Sequence, residues 1–209
     1  AVAREAYGVP AEDPLPADAV PLVEGLLQRM WKVRWENRNK ETLWRLTVDG
    51  VPLVGNSHLH GSAPRACPCG YARGRPPTVS PRAHHFWCCP VASRVRTILS
   101  KHLHDAPVAR RHVWVSIPPV PQVHQCVWDV VVLAALCAME SGRRYLRSPP
   151  ARATHLLERA QARAKASFWA HLKDFAALGM PRRRPWREVP SDHPFLAVRA
   201  GRVVVRRVV

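Results

Sequence analysis

The sequence predicts a mainly α-helical chain in which helices flank a small cysteine- and histidine-rich knuckle and a short β-hairpin closes the C-terminus. Three observations predict it. Apolar residues recur every three or four positions through long segments near 20–37, 123–143 and 150–178. Strict apolar alternation is confined to the tail, 196–208, around Ala200-Gly201. The 21 prolines, about twice the usual share, divide the rest into short elements with stiff connections. At 209 residues the chain is long enough to bury a core, as one domain or two small ones.

Residues 1–17, with Gly8, Pro10, Pro14, Pro16 and three acids, read as an irregular lead-in. Asp18 fits the N-cap of a helix whose apolar positions are Leu22, Val23, Leu26, Leu27, Met30 and Trp35. Pro21 falls in its first turn, where a missing N–H costs little. Basic residues Arg29, Lys32, Arg34, Arg38 and Lys40 crowd the later turns of that helix. Leu43, Trp44 and Leu46 continue in a second short helix that ends near Asp49-Gly50, followed by a loop over 51–66. Residues 70–83 are rich in Gly, Pro and Arg, with little to bury, and read as an exposed loop. A helix from Val91 to His102 then sets Val91, Val95, Ile98 and Leu99 on one face, completing a unit over 18–104.

Residues 105–122 form a proline-punctuated linker to a helical C-terminal region, 123–209. Its first helix, Gln122 to Gly142, is non-polar from Cys126 to Met139 apart from Asp129, so it must be buried on every side. Asp129 reads as a core carboxylate paired with an arginine, with a catalytic or metal-binding carboxylate as the alternative. Cys126 and Cys137 share a helical face and read as core residues. The last long helix, about Pro149 to Leu178, carries the stripe Leu157, Ala160, Ala164, Phe168, Leu172 and Phe175. It stops at Gly179 and Pro181. Arg182, Arg183 and Arg184 follow, then the hairpin.

The formal net charge of +17 is the outlier of the composition, and 27 of the 32 basic residues are Arg. Such a field favours a polyanion, and the planar Arg fork grips phosphate with two parallel hydrogen bonds. A GC-rich genome, which inflates Arg, Ala, Pro and Val together, is the competing explanation. The first residue is Ala1, which suggests a fragment or a processed chain. No secretory signal is visible, and the longest apolar run, Val130 to Met139, is half of what a membrane span needs. The expectation is an intracellular, nuclear protein.

Four of the six cysteines are crowded between 67 and 89, a metal-site pattern and not a disulfide framework. The favoured ligands are Cys67, Cys69, His84 and Cys89, spaced C-x-C-x14-H-x4-C. Two pairs of thiol or imidazole donors across a polar loop are what a closed tetrahedral zinc site requires, and a closed site is structural. Gly70 lets the chain fold back so that amides point at a thiolate. His85 and Cys88 leave the second pair open on spacing alone. His58 and His60 read as solvent-facing residues of the upstream loop.

The stretch from Trp44 to Val95 resembles the zinc-binding domain found C-terminal to the reverse transcriptases of non-LTR retrotransposons. Trp44-Arg45-Leu46, Gly50-Val51-Pro52-Leu53, Cys67-Pro68-Cys69-Gly70, His84-x-Phe86-x-x-Cys89-Pro90 and the helix from Val91 follow the family's order. The composition and the cysteine motifs resemble retroelement remnants of green-algal genomes. Matching Phe86 and Pro90 selects His84 over His85 and Cys89 over Cys88. The chain departs from the family in its C-x-C, where C-x2-C is usual, and in its longer, basic loop. The resemblance makes 18–104 a CCHC zinc knuckle domain of reverse-transcriptase type.

A polymerase core needs paired aspartates to hold two metals, and the seven aspartates here are isolated. None of the five lysines follows an acid by two positions, as the usual nuclease step requires. The expectation is a non-catalytic module binding Zn2+ and contacting template RNA or target DNA, beside a reverse transcriptase core upstream in the same polyprotein. The expected contacts are Arg34, Arg38, Lys40, Arg73, Arg75, Arg182, Arg183 and Arg184, with Tyr71 and Trp87 able to stack on bases. The alternatives are a structural zinc brace or interaction module without nucleic-acid binding, and a decayed open reading frame.

Overall fold

The computed structural model describes residues 2–48, 67–71, 79–150, 154–179, 184–189 and 193–206, without the side chains of 184 and 185. The elements run as helices α1 (Val2–Tyr7), α2 (Ala19–Lys32) and α3 (Asn37–Thr47), then a single turn α4 (Pro81–Ala83) that continues into a π turn (His84–Cys88). Helices α5 (Pro90–His102), α6 (Arg110–Trp114), α7 (Gln125–Arg147), α8 (Leu156–Ala177) and α9 (Arg184–Arg187) follow. Antiparallel strands β1 (Leu196–Arg199) and β2 (Arg202–Val205) end the chain order, so the fold is mainly α with a C-terminal hairpin.

Helix α7 is the centre. It is apolar nearly all round, and each residue from Val127 to Met139 is buried. Helix α8 packs along it, α3 and α5 flank it, and the π turn rests on it. Its length and hydropathy would suit a membrane span, but in this fold protein surrounds it. The buried Asp129 is the core carboxylate expected from sequence. Its Oδ2 accepts from Arg29 Nε at 3.0 Å, and its Oδ1 accepts from Ser116 Oγ at 2.7 Å and Gln125 Nε2 at 2.8 Å. Every polar group placed there has a partner, which is what keeps a buried carboxylate tolerable. Cys137 is buried and lends its thiol to the Asn39 carbonyl, and Cys126 lies beside His124, both outside the cysteine cluster.

Four expectations are corrected. The lead-in is not irregular throughout, because Val2–Tyr7 is helical and buries Val2, Ala3 and Ala6. Arg4 ties it to the carbonyls of Pro10 and Asp13, and Arg110 donates to the Glu5 carbonyl at 2.7 Å. The helix near 20–37 breaks at Lys32, where Val33 turns extended. Trp35 leaves the helical path to bury its ring edge-on against Phe175 and donates its indole N–H to Asp174 at 2.9 Å. Tertiary packing therefore overrides the periodic pattern, and α3 starts two residues later. The linker 105–122 contains α6, and Val113, Trp114 and Val115 are fully buried in a hydrophobic cluster that runs from Val2 to Val203. Finally, α7 passes through Gly142 instead of ending there.

The hairpin follows its sequence closely. Leu196 pairs with Val205 and Val198 with Val203, across a two-residue turn with φ of 46° at Ala200 and 71° at Gly201. Two left-handed residues make the turn twist match the strands. Strand β2 lies on α8, and the buried Phe195 reaches Trp128 and Phe168.

Gly142 supplies a test of this packing. A Cβ there would stand 2.6 Å from Val91 Cγ1, 2.7 Å from the Ala160 carbonyl and 3.0 Å from Ala164 Cβ, so α5, α7 and α8 meet where only glycine fits. Helix propensity alone predicts that Gly142→Ala stabilises by about 1 kcal/mol. Overpacking predicts a loss of about 1–3 kcal/mol. Chemical denaturation should show the loss, and a gain would mean that the three helices do not cross here.

Candidate metal centre

Cys67 and Cys69 lie on a tight turn. Gly70 N–H donates to the Cys67 carbonyl at 2.8 Å and Cys67 N–H to the Tyr71 carbonyl at 3.0 Å. Closing that turn needs φ of 100° at Gly70, which a residue with a Cβ adopts only under strain. On the other side of the polar loop, Ser80 caps α4 by accepting from the Ala83 N–H at 3.0 Å, with Pro81 in the first turn. The chain then widens into the π turn, and Cys89 N–H reaches the His84 carbonyl at 2.7 Å.

That widening aligns the second ligand pair. Residues five apart on an α-helix are about 140° out of line. A turn closed on the fifth residue brings them close to one face. Pro90 then opens α5 at its first position, and Cys89 before it is extended (φ −58°, ψ 137°), as a residue preceding proline prefers. Cys89 thereby ends one element and points back at the turn of Cys67.

The ligand atoms of Cys67, Cys69, His84 and Cys89 all lie within 4.8 Å of one another, a cluster that can hold a metal ion. Cys67, His84 and Cys89 are buried, and Cys69 is half-buried. His84 Nε2 is 3.4 Å from Cys69 Sγ. The Tyr71 ring stacks on the His84 ring at 3.9 Å and 10°, and its hydroxyl donates to the Val79 carbonyl at 2.7 Å. Tyr71 is thus a positioning residue for His84, and that ring face is not open to a base. Sequence reasoning missed this role; the only hint was its place directly after Cys69-Gly70.

Three thiols this close cannot all keep ordinary acidity. Hydrogen bonds from Cys67 and Cys89 hold Cys69 well below the usual thiol range, with the Tyr71 backbone N–H adding to them. The same neighbours, Cys67 then Cys69, push Cys89 above it. Burial alone would lower His84, but the Cys67 and Cys69 sulfurs outweigh it and raise the imidazole to about 9. A Cys69 thiolate and a protonated His84 therefore support each other within the cluster.

The alternative second pair does not converge. Cys88 is exposed and is not one of the four clustered donors. His85 is buried, and burial, with Arg143 and Arg147 nearby, drives it down to about 2, so its ring is neutral. Trp87 is half-buried, with the Arg96 guanidinium 4.2 Å from its ring centre. His58 and His60 lie outside the described residues.

The basic residues expected to contact nucleic acid are not on one helix. Arg29 and Lys32 belong to α2, Arg34 is exposed in the connection, and Arg38 and Lys40 begin α3. Arg38 is exposed and 2.6 Å from Glu36. Lys40 is corrected: it is 5% exposed and its Nζ sits 5.8 Å from the Trp31 ring centre. Burial lowers its pKa, so it is a packed cation and not a free phosphate ligand. Arg73, Arg75, Arg182 and Arg183 lie outside the described residues, as does the side chain of Arg184.

Comparison of the chain with models of known families, with curated proteins and with solved structures finds no match. The site therefore rests on its own geometry. Titrating the reduced protein with Co2+ should give one equivalent bound, with thiolate-to-metal absorption. Cys69→Ser and Cys89→Ser should each abolish tight binding, and Cys88→Ser should leave it unchanged. Acidification should release the metal, because the donors must be deprotonated to bind. Loss of binding in Cys88→Ser with retention in Cys89→Ser would reverse the assignment.

Proposed function

We propose that the chain is a non-catalytic module that binds zinc at Cys67, Cys69, His84 and Cys89 and contacts nucleic acid. The convergence of three thiols and one imidazole from two chain segments carries the metal reading. At a Zn–S distance of ~2.3 Å, tetrahedral ligands stand roughly 3.7 Å apart, within the observed spread. Soft donors select zinc over hard cations, and four protein ligands leave no open position for a reacting water. When bound, zinc would supply a fixed cross-link, holding the Cys67–Tyr71 turn against the π turn and the start of α5.

The nucleic-acid reading draws on the net charge of +17 and its arginine bias. Together with the order of motifs from Trp44 to Val95, it favours the place of a reverse transcriptase zinc-binding domain, acting in the nucleus beside a polymerase core. Arg34 and Arg38 offer exposed guanidiniums for phosphate, with Arg73 and Arg75 on the zinc loop. A surface like this gains its affinity from counterion release, so binding weakens steeply with salt.

Fluorescence anisotropy with single-stranded RNA and duplex DNA at several salt concentrations should give a log–log slope equivalent to several phosphates, at about −0.7 to −0.9 each. Replacing Arg38, Arg73 and Arg75 together with Gln should cut affinity more than the same change at the exposed Arg159, Arg199 and Arg202. Equal losses would mean diffuse charge without a site. Full zinc content with no nucleic-acid binding would leave a structural brace.

A further inference from the structure

A polar cleft of about 850 Å3 lies between α3, α7 and α8, and none of the four cluster residues lines it. Arg38, Arg144 and Arg163 reach it from three different helices. Its carboxylates already have partners within the protein. Glu140 holds Arg143 at 2.6 Å and Arg144 at 3.2 Å, Glu41 holds Arg45, and Asp174 accepts the Trp35 indole N–H. Arg163 has no acidic partner among the described residues. The pair between Arg38 and Glu36 is exposed on both sides, so it exchanges readily for another anion.

The wall of the cleft carries a second feature. Asn39 is 4% exposed, yet its Nδ2 has no hydrogen-bond partner among the described residues. A buried donor without an acceptor is costly, and native folds keep one only where something else satisfies it. Asn39 is among the residues that line the cleft, and the terminal torsion of an Asn amide is broad.

We propose that this cleft binds a phosphate ester of nucleotide size, with the phosphate held by Arg163 and Arg38 and an acceptor on the remainder taken by Asn39. The volume falls in the range of small-molecule sites. The guanidinium fork matches a phosphate face better than a single carboxylate oxygen. Ser141 and Ser167 line the same cleft and add hydroxyls for a sugar. The ligand chemistry is common to a free mononucleotide and to one residue of a strand. The strand form rests on the nucleic-acid reading above; the mononucleotide form does not.

The test is calorimetric titration of the full chain with AMP and, separately, with a 12-nucleotide single-stranded RNA. Both should bind. Arg163→Gln should weaken each by roughly tenfold or more, the loss of a charge-assisted contact. Asn39→Ala should weaken each by about tenfold. Asn39→Ala should not lower the melting temperature, since it removes an unsatisfied donor and adds a better helix former. Lys173→Gln, an equal charge change on α8 outside the cleft, should leave affinity unchanged. AMP binding that is sensitive to both variants, without RNA binding, keeps the cleft and removes the nucleic-acid reading. RNA binding that neither variant disturbs, or failure of both probes to bind, overturns the cleft assignment.

Discussion

A helix with no polar face must be covered on all sides, and α7 imposes that constraint on everything around it. From Val127 to Met139 its one charged group is Asp129, which accepts from Arg29, Ser116 and Gln125. The three partners come from α2, from the segment after α6 and from α7 itself. The one charged residue of this stretch therefore stitches the N-terminal half of the chain to the C-terminal half. Removing the carboxylate would strand the buried Ser116 hydroxyl, take an acceptor from the half-buried Arg29 and Gln125, and loosen that join.

The same demand explains where α1 and α6 came from. Neither is long enough to form alone, since short helices are unstable without tertiary support. Val113 and Trp114 of α6 are fully buried, α6 packs on α1 and α3, and the Trp128 indole N–H of α7 reaches back to the His112 carbonyl at 2.8 Å. Glu5 on α1 accepts from Ser80 Oγ at 2.7 Å, approaches Arg82 at 3.8 Å, and offers its carbonyl to Arg110. One residue of α1 therefore steadies both the cap leading into the π turn and the helix behind it. Prolines and charge made both segments look like loops, and no local pattern reports a contact made 75 or 105 residues away.

The long apolar helices and the hairpin were legible because their signals are local: helical spacing, strict alternation, and Gly201 at a left-handed position. The break after Lys32 was not, because Trp35 obeys the helical pattern and is pulled out of it by Asp174 and Phe175. At the candidate site, type and spacing pointed to Cys67 and Cys69 but left His85 and Cys88 as rivals in the second pair, and the order of motifs around Phe86 and Pro90 chose His84 and Cys89. The reason that spacing works, a π turn between His84 and Cys89, could not be read there. Lys40 shows the limit of reading charge as function: a lysine near a tryptophan can be spent on packing.

The last two turns of α7 show how the fold joins its two polar regions. Arg143 and Arg147, four apart, act on His85, and Arg147 also senses Cys67. Glu140, Ser141, Arg144 and Tyr145 line the cleft against α3 and α8. Three thiolates around a divalent cation carry a net negative charge, so the guanidinium of Arg147 is placed where that charge develops. Glu140 pairs with arginines belonging to both groups, Arg143 and Arg144, and sets the orientation of each. Gly142 lies directly before these arginines, where Val91 of α5 and Ala160 and Ala164 of α8 both close on α7. A larger side chain there would press on α5, which opens directly after Cys89, and on α8, which carries Arg163 and Ser167 of the cleft.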